Sequence, residues 1–163
     1  MILTAGNRDD GQKEKMMKRM RRYIIVAALL WALLLTGCGG GNVANAVVDY
    51  GESAIYSQED VKAAVQVVKS NFTASFDGCE LYSIAYTSDD CNSLENVAWM
   101  NELAKGQGMD AVFTQCIILK SDFHSPKDPE KALSLNVDQD YTGFVWCLAR
   151  ADGGKWTLMT CGY

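Results

Sequence analysis

The chain has few of the residues from which catalytic and metal sites are built. His124 is its single histidine, and none of its six cysteines forms a Cys-x-x-Cys pair. A structural zinc site takes four cysteine or histidine ligands, commonly in closely spaced pairs. The sequence therefore gives no sign of a zinc site, and we expect neither a metal nor a cofactor.

A basic surface is also lacking beyond residue 22. Residues 38–163 contain eight lysines and arginines against seventeen aspartates and glutamates, a net charge of −9. Such a domain repels phosphate backbones, and it has no stripe of basic residues with interleaved aromatics. It is held away from an anionic lipid leaflet for the same reason. We therefore expect no nucleic-acid partner, and attachment to a membrane would need a source other than charge.

No apolar run reaches the length of about 20 residues that a transmembrane helix needs. Residues 23–35 are uncharged, however, and they follow a basic cluster at 15–22. This is the pattern of a secretory signal, with a retained anchor helix as the alternative. The run ends in Leu-Thr-Gly-Cys at 35–38. These four residues resemble a bacterial lipobox, in which the cysteine, here Cys38, is alkylated with diacylglycerol before cleavage.

The sequence thus predicts three regions. Residues 1–37 are a signal peptide; a start at Met16 or Met17 gives it the usual length of about 15–30 residues and leaves 1–15 outside it. Residues 38–49 are the lipidated cysteine and a flexible tether, and 50–163 are a single domain. Two acyl chains on one cysteine give lasting attachment, whereas one chain binds reversibly. We therefore expect the domain to be anchored at the extracytoplasmic face of the cell membrane.

The first half of the domain has a helical and then a strand-like pattern. Between 57 and 76 apolar residues recur every three or four positions, which predicts an amphipathic helix. Ser57 with Asp60 resembles a capping box at its start. Residues 79–86 are predicted as a strand and 93–105 as a shorter helix.

The second half reads as strands around a connection. Residues 111–120 are apolar at both alternating sets, which predicts a strand covered on both faces. Residues 124–140 hold both prolines and form a long loop. A hairpin then joins 141–151 to 155–163 through Asp-Gly-Gly. The expected fold is α+β: a long N-terminal helix on a twisted antiparallel sheet of about four strands, with a short second helix.

Scattered segments of the domain carry a family resemblance. They are Tyr-Gly-Glu-Ser-Ala-Ile-Tyr-Ser at 50–57, Phe-Asp-Gly-Cys-Glu-Leu at 76–81, Tyr86, Trp-Cys-Leu-Ala-Arg at 146–150, Gly-Lys-Trp at 154–156 and Gly-Tyr at 162–163. Nearly all of 50–163 resembles a family of uncharacterised Firmicutes lipoproteins with a domain of unknown function. The resemblance implies a cystatin-like or nuclear-transport-factor-like α+β cone, and it implies fold far better than function.

Five cysteines remain after lipidation, so at least one stays unpaired or pairs between molecules. Export permits disulfides. Cys147 and Cys161 would face each other across the final hairpin if 153–155 formed a three-residue loop, whereas a two-residue loop would put them on opposite faces. Cys79 with Cys91 is the second candidate pair.

Catalytic signals are weak. Asp122, His124 and Ser125 are too close in sequence to fold back on one another as a triad requires. Asn136, Asp138 and Asp140 alternate like calcium ligands, but the further acidic ligands and the placed glycine of an EF-type loop are missing. We therefore predict no catalytic residue and no metal ligand.

Aromatic residues offer two further candidate sites. Enzymes with cone-shaped folds place an acid or base inside the cup, and Tyr82, Tyr86 and Tyr141 are candidates for lining such a cup, with core packing as the alternative. Trp146 and Trp156 are either a stacking platform or a pair in the core.

Three function classes remain open on this evidence. The leading one is a membrane-anchored binding or interaction module, with a small molecule or a protein as its ligand. The alternatives are a small cone-fold hydrolase or isomerase with an acid or base in the cup, and a structural part of the envelope. A buried carboxyl group with a raised pKa would favour the enzyme, and an exposed apolar patch would favour the binding module.

The lipobox yields a direct prediction. Replacing Cys38 by serine, Cys38→Ser, removes the thiol that is alkylated, so the chain should accumulate as an uncleaved precursor without lipid. Metabolic labelling with a fatty acid and the apparent mass of the product measure both effects. Processing and membrane partitioning equal to those of the parent would contradict the lipobox.

Overall fold

The structure is a computed structural model that describes residues 40–132 and 134–163. The predicted signal peptide and Cys38 lie outside the described residues. The described part is α+β, as predicted. Its strands are β1 (Val47–Asp49), β2 (Glu80–Tyr86), β3 (Gln115–His124), β4 (Asp140–Arg150) and β5 (Thr157–Gly162). Its helices are α1 (Gln58–Ser75), α2 (Leu94–Gly106) and the single turn α3 (Pro129–Ala132), with a 3₁₀ turn at Asp89–Asn92.

The sheet is mixed, with five strands in the order β1-β2-β3-β4-β5. Strands β2 to β5 form an antiparallel meander, and β1 pairs with β2 in parallel at the edge. The sheet therefore differs from the expected antiparallel sheet of about four strands by this added edge strand. None of the helices in the described part combines the length and the hydropathy needed to cross a membrane.

Helix α1 begins where the capping box predicts. The Oγ of Ser57 accepts a hydrogen bond from the backbone N–H of Asp60 at 3.1 Å, and the carboxylate of Asp60 accepts one from the N–H of Ser57 at 3.0 Å. Two N–H groups that the first turn leaves without a helical partner are thereby satisfied. The buried stripe of the helix consists of Val61, Ala64, Val65, Val68 and Phe72. It packs on one face of the sheet.

The opposite face of the sheet is covered by α2. Strand β3 sends Ile117 and Leu119 into the core beneath α1 and Cys116 into a second core beneath α2. The prediction that this strand is covered on both faces is therefore correct. Its start is later than predicted, because the amide of Asn101 in α2 accepts from the N–H of Phe113 at 2.8 Å and donates to its carbonyl at 2.9 Å.

The predicted flexible tether is wrong for the part that the structure describes, residues 40–49. The N–H of Asn42 donates to the carbonyl of Cys79, and the carbonyl of Asn42 accepts from Leu81, both at 2.8 Å. The N–H of Gly41 donates to Thr73 at the end of α1 at 3.1 Å. Small residues permit this close approach, so the described part of the segment belongs to the same folded unit as both cores.

The close approach at Gly41 can be tested. A Cβ built on Gly41 would overlap a ring carbon of Phe72. Gly41→Ala should therefore lower the free energy of unfolding by about 1–3 kcal/mol, the usual cost of overpacking. Gly106→Ala is the matched control, because a Cβ there meets nothing within 4 Å. Equal urea midpoints for the two variants would mean that the segment is not packed on α1.

Candidate functional site

The space between α1 and the sheet is filled by aromatic side chains. Phe72 stacks on Phe76 with ring centroids 4.8 Å apart, and both rings contact Phe123. Trp146 is fully buried, and its indole N–H donates to the Oγ of Ser121 at 2.8 Å. Trp146 is therefore a core residue rather than part of a stacking platform.

The three tyrosines proposed to line a cup do not come together. Tyr86 is buried, and its hydroxyl donates to the carboxylate of Asp89 at 2.7 Å. Tyr141 stacks on Phe123, and its hydroxyl accepts from a backbone N–H. Tyr82 is 44% exposed, because a bulge in β2 leaves it without a partner on β3 and turns it off the face of Tyr86. The expected pocket of these three residues is therefore wrong.

The predicted disulfides are not formed. Cys147, Cys161, Cys79 and Cys91 all have free thiols. In the hairpin Leu148 pairs with Leu158 but Cys147 pairs with Thr160, so the residue between is the extra residue of a bulge. Cys161 consequently lies opposite Trp146 and not opposite Cys147. Among the described cysteines Cys161 is the exposed one, and the others are buried.

A polar network joins the start of α1 to the end of β4. The guanidinium of Arg150 donates to the carboxylate of Asp60 at 2.5 Å and lies 4.3 Å from the centre of the Trp156 ring. The indole of Trp156 donates to the carbonyl of Asp60 at 3.0 Å. The bond from Arg150, with those from Ser57, lowers the pKa of Asp60 to about 2. This carboxylate is therefore ionised at neutral pH and holds two elements together.

A second carboxylate has a similar role. Asp89 accepts from the hydroxyls of Ser53 and Tyr86 and from the N–H of Ala54. The same bonds, that from Ser53 foremost, lower the pKa of its carboxyl group. A general acid or base at neutral pH needs a pKa near 7. In the described part of the chain, the carboxyl groups with a shifted pKa are those of Asp60 and Asp89, and both pKa values are lowered, so neither favours acid–base catalysis.

His124 ends β3 and is clamped between two carboxylates. Its Nδ1 lies 2.7 Å from Asp140 and its Nε2 lies 2.9 Å from Asp138. Carboxylates only accept hydrogen bonds, so both bonds form together only when the ring is protonated. The hydrogen bond to Asp140 is the main cause that raises the pKa of His124, and the hydrogen bond to Asp138 is the second.

The contacts around His124 also rule out a triad of Asp122, His124 and Ser125 and a calcium site at Asp138 and Asp140. Asp122 accepts from Ser83 and Gly143, and Ser125 donates to a backbone carbonyl, so neither bonds to His124. Asp138 and Asp140 contact opposite edges of the imidazole ring and do not converge on one point. Within residues 40–132 and 134–163 no group of three or more acidic, histidine or cysteine side chains is placed to hold a metal ion.

The strongest candidate site is a groove on the α2 side of the sheet. It has a volume of about 360 Å³, and its walls are mostly apolar. Its lining residues are Trp99, Ile118, Val145, Cys147, Thr160, Cys161, Gly162 and Tyr163. We call it the Trp99 groove. It opens where the flank of α2 leaves strands β3 to β5 uncovered.

The groove was not found by sequence reasoning. Leu94 and Trp99 are among the apolar residues of the helix predicted at 93–105. In the structure Met100 and Ala104 are buried, while Trp99 is 41% exposed and Leu94 is 90% exposed. Trp99 precedes the buried Met100 by one residue and so lies on the flank of the helix. This offset is the signal that could have marked Trp99 as a surface residue.

A second hollow, of about 350 Å³, lies at the start of α1 and is more polar. It is lined by Tyr50, Gly51, Glu52, Ser53, Tyr56, Gln58 and Val61. Its side chains serve largely to hold the loop, because Ser53 bonds Asp89 and Tyr56 donates to the carbonyl of Cys116 at 2.8 Å. We therefore regard the Trp99 groove as the better candidate.

The chain matches no family model, no curated protein and no solved structure. The function must therefore be argued from the site itself.

The histidine clamp makes stability depend on pH. The folded-state pKa of His124 is raised, so its stabilisation is present in full below the unfolded value of about 6.5 and is lost as pH rises through the folded value. His124→Gln should remove this dependence between about pH 5 and pH 9, because no other histidine exists. Thermal midpoints of both proteins across this range provide the measurement. Parallel curves would contradict the clamp.

Proposed function

We propose that the chain is a membrane-anchored extracytoplasmic lipoprotein whose domain is a binding or interaction module, with the Trp99 groove as its ligand site. The observation that carries the binding role is an apolar groove beside a partly exposed tryptophan. Its volume of about 360 Å³ falls within the range of about 300–1,000 Å³ usual for ligand pockets. The ligand is a small molecule or a segment of a protein.

The anchoring role rests on the sequence. The uncharged run at 23–35 ends in the lipobox, and Cys38 would carry the lipid. The net charge of −9 in residues 38–163 opposes adsorption to an anionic leaflet, so lipid is the physical means by which this domain would stay at a membrane. The membrane is therefore the partner that the lipid on Cys38 would bind.

The proposed fold family is the cystatin-like cone. A helix followed by the antiparallel meander β2 to β5 supports this assignment. Strand β1 and helix α2 would then be additions, one at the sheet edge and one on the face opposite α1. The resemblance to the Firmicutes lipoprotein family of unknown function is part of the same proposal.

The alternative, a small hydrolase or isomerase, has less support. It needs an acid or base in a cup. The face beneath α1 is filled by aromatic rings, and the carboxyl groups of Asp60 and Asp89 have lowered pKa values. A binding module needs neither a cup nor a titrating group.

The binding role can be tested with the neutral apolar fluorophore N-phenyl-1-naphthylamine on residues 39–163, the folded unit that contains both cores. Its emission should rise on binding and should fall strongly in Trp99→Ala, which removes one wall of the groove. Leu94→Ala is the matched control, since this side chain is apolar and exposed on the same helix but does not line the groove. Equal emission from both variants would remove the groove as the site.

A further inference from the structure

One edge of the sheet is unprotected. In the described part of the chain β5 pairs with β4 alone, and its six residues include no charged residue and no proline. Natural edge strands are usually guarded by charges, by proline or by shortness, because unpaired backbone groups attract other strands. The opposite edge follows this rule, since β1 has only three residues. The backbone of β5 is therefore available for pairing along at least part of its length.

Helix α2 divides this edge into two parts. The side-chain amide of Gln107, at the end of the helix, donates to the carbonyl of Met159 at 3.1 Å. Trp99, eight residues earlier on the helix, lines the groove together with Thr160, Cys161 and Gly162. One flank of α2 thus follows β5. It occupies the backbone at Met159 and leaves the end of the strand open beside the groove.

The same flank is acidic. Glu95 and Glu102 lie four residues before and three residues after Trp99, so all three side chains share one face of the helix. Both glutamates are exposed. The groove is therefore mostly apolar, and the helix face that carries its tryptophan wall also carries two carboxylates, within a domain of net charge −9. The occupant that complements this arrangement carries an apolar side chain flanked by positive charge.

We infer that the Trp99 groove and the open end of β5 together bind an extended basic peptide segment by strand addition. This inference rests on the proposed binding function and names its ligand class. The backbone of the segment pairs with Thr160–Gly162, one apolar side chain enters the groove, and neighbouring basic side chains approach Glu95 and Glu102. Strand addition gives affinity through main-chain bonds and specificity through pockets for alternate side chains.

A second copy of the chain is the less favoured occupant. Two domains that each carry a charge of −9 repel one another. The closed position at Met159 also shortens the edge that two copies could share. Charge complementarity thus decides between the two occupants.

The test uses an acetylated and amidated probe peptide, Lys-Thr-Leu-Thr-Lys, whose two lysines and leucine lie on one face of a strand. Its affinity for residues 39–163 is measured by calorimetry. The matched peptide Glu-Thr-Leu-Thr-Glu should bind at least about fivefold more weakly, which is the size expected for two exposed charge pairs. The protein variant carrying both Glu95→Gln and Glu102→Gln should lose the preference for lysine. Glu130→Gln, an exposed glutamate in α3, should keep it.

Backbone pairing is tested by N-methylation of alternate residues of the lysine peptide, in two versions, because only one set of N–H groups faces β5. One version should lose binding and the other should retain it. Equal affinity of both versions, or no preference for lysine over glutamate, would overturn the inference. So would a concentration-dependent dimer, measured by light scattering, that Trp99→Ala dissolves. If the neutral fluorophore still binds in a Trp99-dependent manner, the proposed function survives such a failure.

Discussion

The burial of strand β3 on both faces is the constraint on which the rest of the structure depends. Ile117 and Leu119 need a cover on one side of the sheet and Cys116 needs one on the other. Helix α1, with eighteen residues, covers its face along the strand. Helix α2 has thirteen residues, a length of about 20 Å, whereas the ten residues of β3 extend about 33 Å. The second cover is therefore too short for its strand.

The sequence of β3 follows this mismatch. On the α2 side the strand is apolar at Cys116 and Ile118 and becomes polar at Lys120, Asp122 and His124. The apolar-to-polar change marks where the cover ends. Ile118 lies at that border, and it is a wall of the Trp99 groove. The candidate site thus results from the incomplete cover of the sheet by α2, because an apolar stretch of the sheet extends just beyond this helix.

Local patterns in the sequence predicted most of the fold. The cap of α1 depends on Ser57 and Asp60, which are three residues apart, and the turn of the final hairpin depends on Gly153, which has a φ of 67°. The predictions that were wrong depend on contacts between segments that are distant in the sequence. The bulge that displaces Tyr82 and the shift that separates Cys147 from Cys161 are set by strand pairing, and a slip of one residue inverts every side chain. The docking of Asn42 on β2 likewise has no local signature.

The state of the cysteine thiols follows from their burial and could not be derived from the number of cysteines. An odd number of cysteines in an exported domain predicts at least one unpaired thiol. In the structure burial raises the pKa of Cys79 and Cys147 to about 11 and that of Cys116 to about 12. Thiol–disulfide exchange proceeds through the thiolate, so these buried groups react slowly even where oxidants are present. The buried cysteines thus act as small apolar residues, Cys79 and Cys91 in the core beneath α1 and Cys116 and Cys147 in the core beneath α2.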